Sequence, residues 1–185
     1  MPPEQLPKIN VSDLILKAAT DMKDTLPDSY TAFVLSLFCG MRRAEIDFLT
    51  WDQVDLTDGH IWIRRTEHFT PKAKNSDSRI DLTKEVVDWL ESYKKLTDEK
   101  IFVLPGGNPL YPPRCKMVFR HLLKWLRSNG VDYVQALHAL RKEAGSLMFA
   151  QTESIDLTAE FLRNDARVAL EHYVGRKGRL ELSIH

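Results

Sequence analysis

The sequence lacks any hydrophobic run long enough to cross a membrane. Its longest apolar stretch, from Ala32 to Met41, is short and is interrupted by Ser36 and Gly40. A transmembrane helix needs about 20 consecutive apolar residues. The first ten residues, MPPEQLPKIN, also lack the apolar core of a signal peptide. We therefore expect a cytoplasmic protein with no membrane partner.

The sequence contains few cysteines and has no net charge. The two cysteines, Cys39 and Cys115, are far apart and form no Cys-x-x-Cys pair. We expect both to be reduced thiols in the core of an intracellular protein. The 26 basic and 26 acidic residues cancel, so a nucleic-acid-binding surface would have to arise from uneven placement of charge.

The usual signatures of metal and nucleotide chemistry are also missing. No two of the six histidines lie three or four residues apart, and no dense carboxylate cluster suggests a two-metal site. Gly106 and Gly107 lack the residues that flank a phosphate-binding loop. We predict no metal, no small-molecule cofactor, and neither nucleotide hydrolysis nor hydride transfer.

What the chain does contain is enough apolar sequence, 43%, for one well-packed domain over residues 1–185. Apolar periodicity predicts a mainly helical α+β fold with a small antiparallel sheet or hairpin. The predicted strands begin at His60 and Ser78 and flank a polar stretch. The predicted helices are 11–22, 28–38, 43–49, 84–96, 113–128, 137–150, 157–163 and 167–173.

Several isolated polar residues could bind or cleave a phosphodiester. Arg42 follows a buried helix at a glycine break, where its guanidinium could offer two parallel donors to a phosphate. His138 and Arg141 share a helical face because they are three residues apart. Lys72 lies at the predicted hairpin tip and Tyr173 on the last predicted helix. Taken singly, each also fits an ordinary solvent-exposed or packing residue.

Together, and in this order, these residues resemble the catalytic domain of the tyrosine recombinases, the phage-integrase family. Residues 40–45, Gly-Met-Arg-Arg-Ala-Glu, are similar to the family's Gly-Leu-Arg-x-x-Glu. Residues 49–55 continue it as Leu-Thr-Trp-Asp-Gln-Val-Asp, and residues 71–82 are similar to its lysine-bearing hairpin. Residues 138–141, His-Ala-Leu-Arg, match His-x-Leu-Arg, and residues 162–173 have the length of the Leu-Gly-His-to-tyrosine segment.

The resemblance implies an enzyme that breaks and rejoins DNA without metal or ATP, through a 3′-phosphotyrosyl intermediate. It implies that Arg42 and Arg141 bind the scissile phosphate, and that Lys72 is the general acid. His138 would be an acid/base and phosphate ligand, and Tyr173 the nucleophile. Glu45 would be a supporting residue. The implied partners are double-stranded DNA and further copies of the chain, in a prokaryotic or phage setting. Type IB topoisomerases share the tyrosine chemistry.

Two positions depart from the family pattern. Asn164 stands where a histidine or tryptophan is expected, and Arg163 replaces the preceding glycine. We expect Asn164 to support catalysis as a neutral donor to phosphate, with reduced activity, or Arg163 to take over as the donor. The helical core-binding domain that usually precedes the catalytic domain is expected to be absent from this chain.

Two alternatives remain open at this point. The chain could be a recombinase-like domain that grips DNA but cuts weakly or not at all, which the departures at Arg163 and Asn164 favour. It could also be a helical protein of unrelated function in which the motifs coincide by chance. Lack of DNA binding at low salt would indicate the second.

Overall fold

The structure, a computed structural model, describes residues 9–72, 77–132, 134–164 and 167. This part of the chain forms a mainly helical α+β fold with a three-stranded antiparallel sheet, which confirms the predicted fold class. The helices are α1 (Val11–Asp21), α2 (Pro27–Leu37), α3 (Arg43–Asp47), α4 (Lys84–Leu96), α5 (Lys116–Ser128), α6 (Ala136–Thr152) and α7 (Ile155–Leu162). The strands are β1 (Val54–Asp55), β2 (His60–Ile63) and β3 (Ser78–Asp81).

Helix α2 lies at the centre of the core and explains why its sequence is almost continuously apolar. Phe33 and Leu35 on this helix are fully buried. Pro27 occupies its first turn, where a missing N–H and a fixed φ suit a helix start. The helix packs against α5 and α6, and the Ser29 hydroxyl donates to the carbonyl of Val118 on α5 at 3.0 Å. Burial on all sides of α2 thus sets the positions of the later helices.

Helix α4 is tied to α2 by polar contacts as well as by apolar packing. The indole Nε1 of Trp89 donates to the hydroxyl of Thr31 at 3.0 Å. The hydroxyl of Tyr93 donates to the carboxylate of Asp28 at 2.6 Å. Both aromatic rings are buried, together with Val86 and Leu90 of the same helix.

The sheet has the order β1-β2-β3, and both strand pairs are antiparallel. Its buried face carries Ile61 and Ile80, which are directly opposite each other. The two-residue strand β1 was not predicted, because so short a segment shows no alternation. Lys72 lies in the long connection between β2 and β3, which follows the predicted order of strand, polar stretch and strand.

Helix α5 begins three residues later than its apolar pattern predicts. The backbone N–H groups of Arg114 and Cys115 donate to the buried carboxylate of Asp47, at 2.9 and 2.7 Å, respectively. These tertiary bonds fix the entry to the helix, and regular helix starts at Lys116. The apolar residues Val118, Phe119, Leu122 and Leu126 of α5 are buried.

Cys39 and Cys115 are buried and free, as predicted. Burial raises the pKa of each thiol to about 12, so both stay protonated at neutral pH. None of the helices in the described part of the chain combines the length and apolar character that crossing a bilayer requires. The predicted last helix lies outside the described residues, apart from Arg167.

Candidate active site

A cleft of about 860 Å³ lies where α3, α6, the end of α7 and the β2–β3 connection meet. Four of the five residues predicted to be catalytic line it: Arg42, Lys72, His138 and Arg141. Asn164 lines it as well. These residues span 122 positions of the sequence, and the fold brings them to one concave surface. Among the described residues, the cleft lining carries five basic side chains, Arg42, Arg43, Lys72, Arg141 and Lys142, against one acidic side chain, Asp47.

Arg42 is oriented by the first turn of α3. Its backbone N–H donates to Oε2 of Glu45 at 2.7 Å, and its Nη1 donates to Oε1 of the same carboxylate at 2.9 Å. The first bond is the half of a capping box in which the N3 carboxylate accepts from the N-cap N–H, and the second is an ion pair between the two side chains. The Arg42 side chain keeps 26% of its surface exposed, whereas that of Glu45 keeps 3%. Glu45 is therefore buried beneath the cleft surface, where it holds the Arg42 side chain in place.

Arg141 on α6 is held even more firmly. It is 4% exposed, and its guanidinium donates to the carbonyl oxygens of Gly40 and Leu162. These bonds tie α6 to the loop after α2 and to the end of α7. A guanidinium fixed in this way loses little conformational freedom when it binds an anion.

Gly40 is required where these elements meet. Its φ is +56°, a conformation that residues with a side chain rarely adopt. A Cβ atom at this position would lie 3.0 Å from both Phe161 and Leu162 on α7. The glycine therefore lets α7 approach closely enough for the Gly40 carbonyl to accept from Arg141 and, at 3.1 Å, from Nη2 of Arg163.

Asn164 joins the two cleft arginines. Its Oδ1 accepts from Nη2 of Arg42 at 2.9 Å and from Nη2 of Arg141 at 3.0 Å. The sequence predicted a neutral donor to phosphate at this position, but the amide oxygen serves as the shared acceptor of the pair. The covalent geometry of the amide turns Nδ2 away from that oxygen, so Asn164 can still donate through Nδ2.

Arg163 does not take over as a donor in the cleft, and this alternative is wrong. The residue is 8% exposed, and its Nε and Nη2 donate to the two oxygens of Glu45 at 3.3 and 2.5 Å. Its φ of +54° places it in the left-handed region, where glycine is favoured. An arginine in this conformation forms a buried ion pair with Glu45 that the sequence did not predict.

The pKa of the Glu45 carboxyl reflects these contacts. Burial acts to raise it, but the charge and hydrogen bond of Arg163, followed by those of Arg42, outweigh burial and lower the pKa below its usual value. Glu45 is therefore ionised throughout the neutral range.

The remaining predicted residues lie on different elements. Lys72 is exposed in the β2–β3 connection, a segment anchored by stacking of Phe69 on Phe48 with ring centroids 6.2 Å apart. His138 is exposed on the first turn of α6, one turn before Arg141. Tyr173 lies outside the described residues.

A separate group of potential metal ligands, Asp55, Asp58 and His60, occupies the β1–β2 turn and does not line the cleft. Asp55 Oδ1 already accepts from the backbone N–H groups of Thr57 and Asp58, as in many turns that bind no ion.

Comparison with known proteins identifies the family. The profile of the phage integrase family matches residues 5–173, which is most of the chain. The chain belongs to the phage integrase family. This confirms the resemblance on which the sequence analysis relied, including its assignment to the tyrosine recombinases. No curated protein sequence matches this integrase-family chain.

Solved structures agree on the fold. The integrase of transposon Tn1549, in complex with transposon right-end DNA, has a TM-score of 0.66 at 17% identity and covers 100% of this chain and 69% of its own. XerA recombinase has a TM-score of 0.67 at 16% identity, covering 89% and 58%. The integrase of mycobacterium phage Brujita gives 0.66 at 17%, covering 93% and 54%. This integrase-family chain thus spans about half to just over two thirds of these relatives.

Proposed function

We propose that this chain is the catalytic domain of a site-specific tyrosine recombinase, which cleaves and rejoins double-stranded DNA. The observation that carries the proposal is the convergence of Arg42, Lys72, His138 and Arg141 on one cleft. The chain has no net charge, but the lining of this cleft is rich in basic side chains. Such a lining suits the negatively charged phosphate backbone of DNA.

In the proposed reaction, the hydroxyl oxygen of Tyr173 attacks the scissile phosphorus and forms a phosphotyrosyl bond. The bond from phosphorus to the 5′-oxygen breaks, and Lys72 donates a proton to that leaving oxygen. His138 accepts the proton of the tyrosine hydroxyl, and its imidazole also binds a phosphate oxygen. Attack by the 5′-hydroxyl of another strand reverses these bond changes and rejoins the DNA, so no external energy source is required.

Arg42 and Arg141 would stabilise the charge that develops on the non-bridging phosphate oxygens. Such oriented donors often supply the largest single part of catalysis. Glu45 would hold Arg42 in place, and Asn164 would fix the spacing of the two guanidinium groups. We further propose that copies of the chain associate on DNA and act in the cytoplasm of a prokaryotic cell, which the phage-integrase family supports.

A second candidate, a DNA-binding domain with weak or no cleavage, is favoured by one observation. Asn164 stands where a ring N–H donor is expected, and its Oδ1 accepts from both arginines, so only the neutral amide Nδ2 is left to donate to a phosphate. Under this alternative the cleft binds phosphate but stabilises the transition state poorly.

The test is covalent trapping on DNA. The chain is incubated in EDTA at low salt with nicked duplexes and with supercoiled plasmid, then denatured in SDS beside Tyr173→Phe. We expect a protein–DNA adduct that is absent in the variant. DNA binding without an adduct would favour the second candidate, and neither binding nor adduct would refute both.

A further inference from the structure

Arg163 is not among the residues assigned to catalysis above, but it contacts both Arg42 and the carboxylate that holds Arg42 in place. Four donors converge on the Glu45 carboxylate: the backbone N–H and Nη1 of Arg42, and the Nε and Nη2 of Arg163. The Glu45 and Arg163 side chains are each 3% exposed. A buried carboxylate shared by two guanidinium groups leaves a net positive charge beside the cleft.

Arg163 also contacts Arg42 directly through its backbone. Its carbonyl oxygen accepts from Nη2 of Arg42 at 3.1 Å, next to the bond from the same nitrogen to Asn164. The side chain of Arg163 is anchored in turn by the carbonyls of Gly40 and Phe161, at 3.1 and 2.9 Å. Three of the five guanidinium N–H groups of Arg42 thus donate to Glu45, Arg163 and Asn164. The other two can donate to a phosphate.

The backbone of Arg163 adopts a conformation that disfavours a side chain, so the contacts of that side chain offset a cost. A residue with a Cβ in the left-handed region is strained, whereas glycine is not. Burying a guanidinium also carries a desolvation penalty that only close pairing offsets. The pairing with Glu45 at 2.5 Å supplies that compensation.

We infer that Arg163 is a positioning residue: its two hydrogen bonds hold the Glu45 carboxylate in place, so that Arg42 presents its remaining donors to the scissile phosphate. The inference rests on the proposed function, because it assigns Arg42 to phosphate binding. Arg163 is not among the residues that line the cleft, so the inference gives it no direct contact with the phosphate.

The charged and titratable groups around Glu45 define what should change with pH. Arg42 faces it from the start of α3, and Arg163 from the end of α7. The thiol of Cys39, at the end of α2, lies near Arg163 and stays neutral because burial raises its pKa to about 12. Without Arg163, its charge and hydrogen bond no longer lower the pKa of Glu45 while burial still acts to raise it, so we expect that pKa to rise and acid to weaken the hold of Glu45 on Arg42.

The experiment compares the full chain with Arg163→Gly, which suits the left-handed backbone, and Arg163→Lys, which retains a charge but not the two-pronged donor. Adduct formation and DNA binding are measured from pH 5.5 to 8. For Arg163→Gly we expect adduct formation to fall on the order of 10–100-fold at the acid end of this range. This is less than the roughly 10²–10³-fold decrease in rate that follows complete loss of a donor. Arg163→Lys should restore part of the lost adduct formation.

Arg114→Lys is the matched control, because it alters another buried guanidinium that contacts neither Glu45 nor Arg42. Arg114→Lys should lower the free energy of unfolding without making adduct formation decrease at acid pH. In a Glu45→Gln background, Arg163→Gly should cost much less than in the parent, since the titrating group is gone. An equal loss at every pH, or an undiminished loss in that background, would overturn the inference.

Carboxyl-carbon NMR titration of Glu45, assigned by its disappearance in Glu45→Gln, gives a readout that needs no DNA. Its pKa should rise in Arg163→Gly, and an unchanged pKa would overturn the inference. If the parent chain forms no adduct at any pH, the proposed cleavage function fails. The titration and the pH dependence of DNA binding still decide the role of Arg163.

Discussion

Replacing Asn164 with aspartate tests the arrangement of the cleft, because it changes one atom and predicts opposite effects on stability and DNA binding. Asn164 Oδ1 accepts from Arg42 at 2.9 Å and from Arg141 at 3.0 Å. In Asn164→Asp the acceptor becomes a carboxylate, and hydrogen bonds between two charged groups are stronger than those to a neutral oxygen. We expect the free energy of unfolding to rise by about 1 kcal/mol at pH 7.

The same charge should repel a bound phosphate. A phosphate on the far side of the two guanidinium groups would lie roughly 6 Å from the new carboxylate, where the repulsion is about 2.8 kcal/mol at an effective dielectric constant of about 20. That energy corresponds to roughly 100-fold weaker DNA binding. Partial exposure and salt reduce it, so at least about a tenfold loss is expected at low ionic strength.

Urea unfolding and fluorescence anisotropy with a DNA duplex measure the two effects. Asn10→Asp is the matched control, since it adds the same charge at the N-cap of α1, where aspartate also caps well and which does not line the cleft. If Asn164→Asp binds DNA as tightly as Asn10→Asp, phosphate is not bound by this arginine pair. If it is also less stable than the parent, the assigned hydrogen bonds are wrong.

Two further outcomes follow from the site. Lys72→Met should slow adduct formation by about 10²–10⁴-fold while leaving duplex affinity within a fewfold; a substrate with a 5′-bridging sulfur, whose leaving group needs no proton, should recover most of the rate, and no recovery would argue against a general acid. Glu45→Gln should lower the free energy of unfolding by about 3–5 kcal/mol at pH 7, because it breaks a buried ion pair. Since the pKa of Glu45 is lowered in the folded state, its contribution is present above the unfolded pKa of about 4.3 and is lost as pH falls through the lower folded value. Parent and variant should therefore converge in urea unfolding as the pH falls below about 4.3, and a constant difference would contradict the assignment.

Much of the fold was accessible from local pattern. Helix α4 was predicted at its observed bounds, and α1, α2 and α6 to within a few residues, because their apolar spacing and end signals are local. The start of α5 was missed, because the carboxylate of Asp47 captures the N–H groups of Arg114 and Cys115 from 67 and 68 residues away.

The sequence by itself determined the family, through short motifs that recur in a fixed order, and it nominated the cleft residues. What only the tertiary structure decided is how those residues are supported. The pairing of Arg163 with Glu45 joins positions 118 residues apart, and the bridge from Asn164 to Arg42 joins positions 122 apart. Hydrogen bonds depend on distance and direction in space, and no local pattern records which two distant segments will be packed side by side.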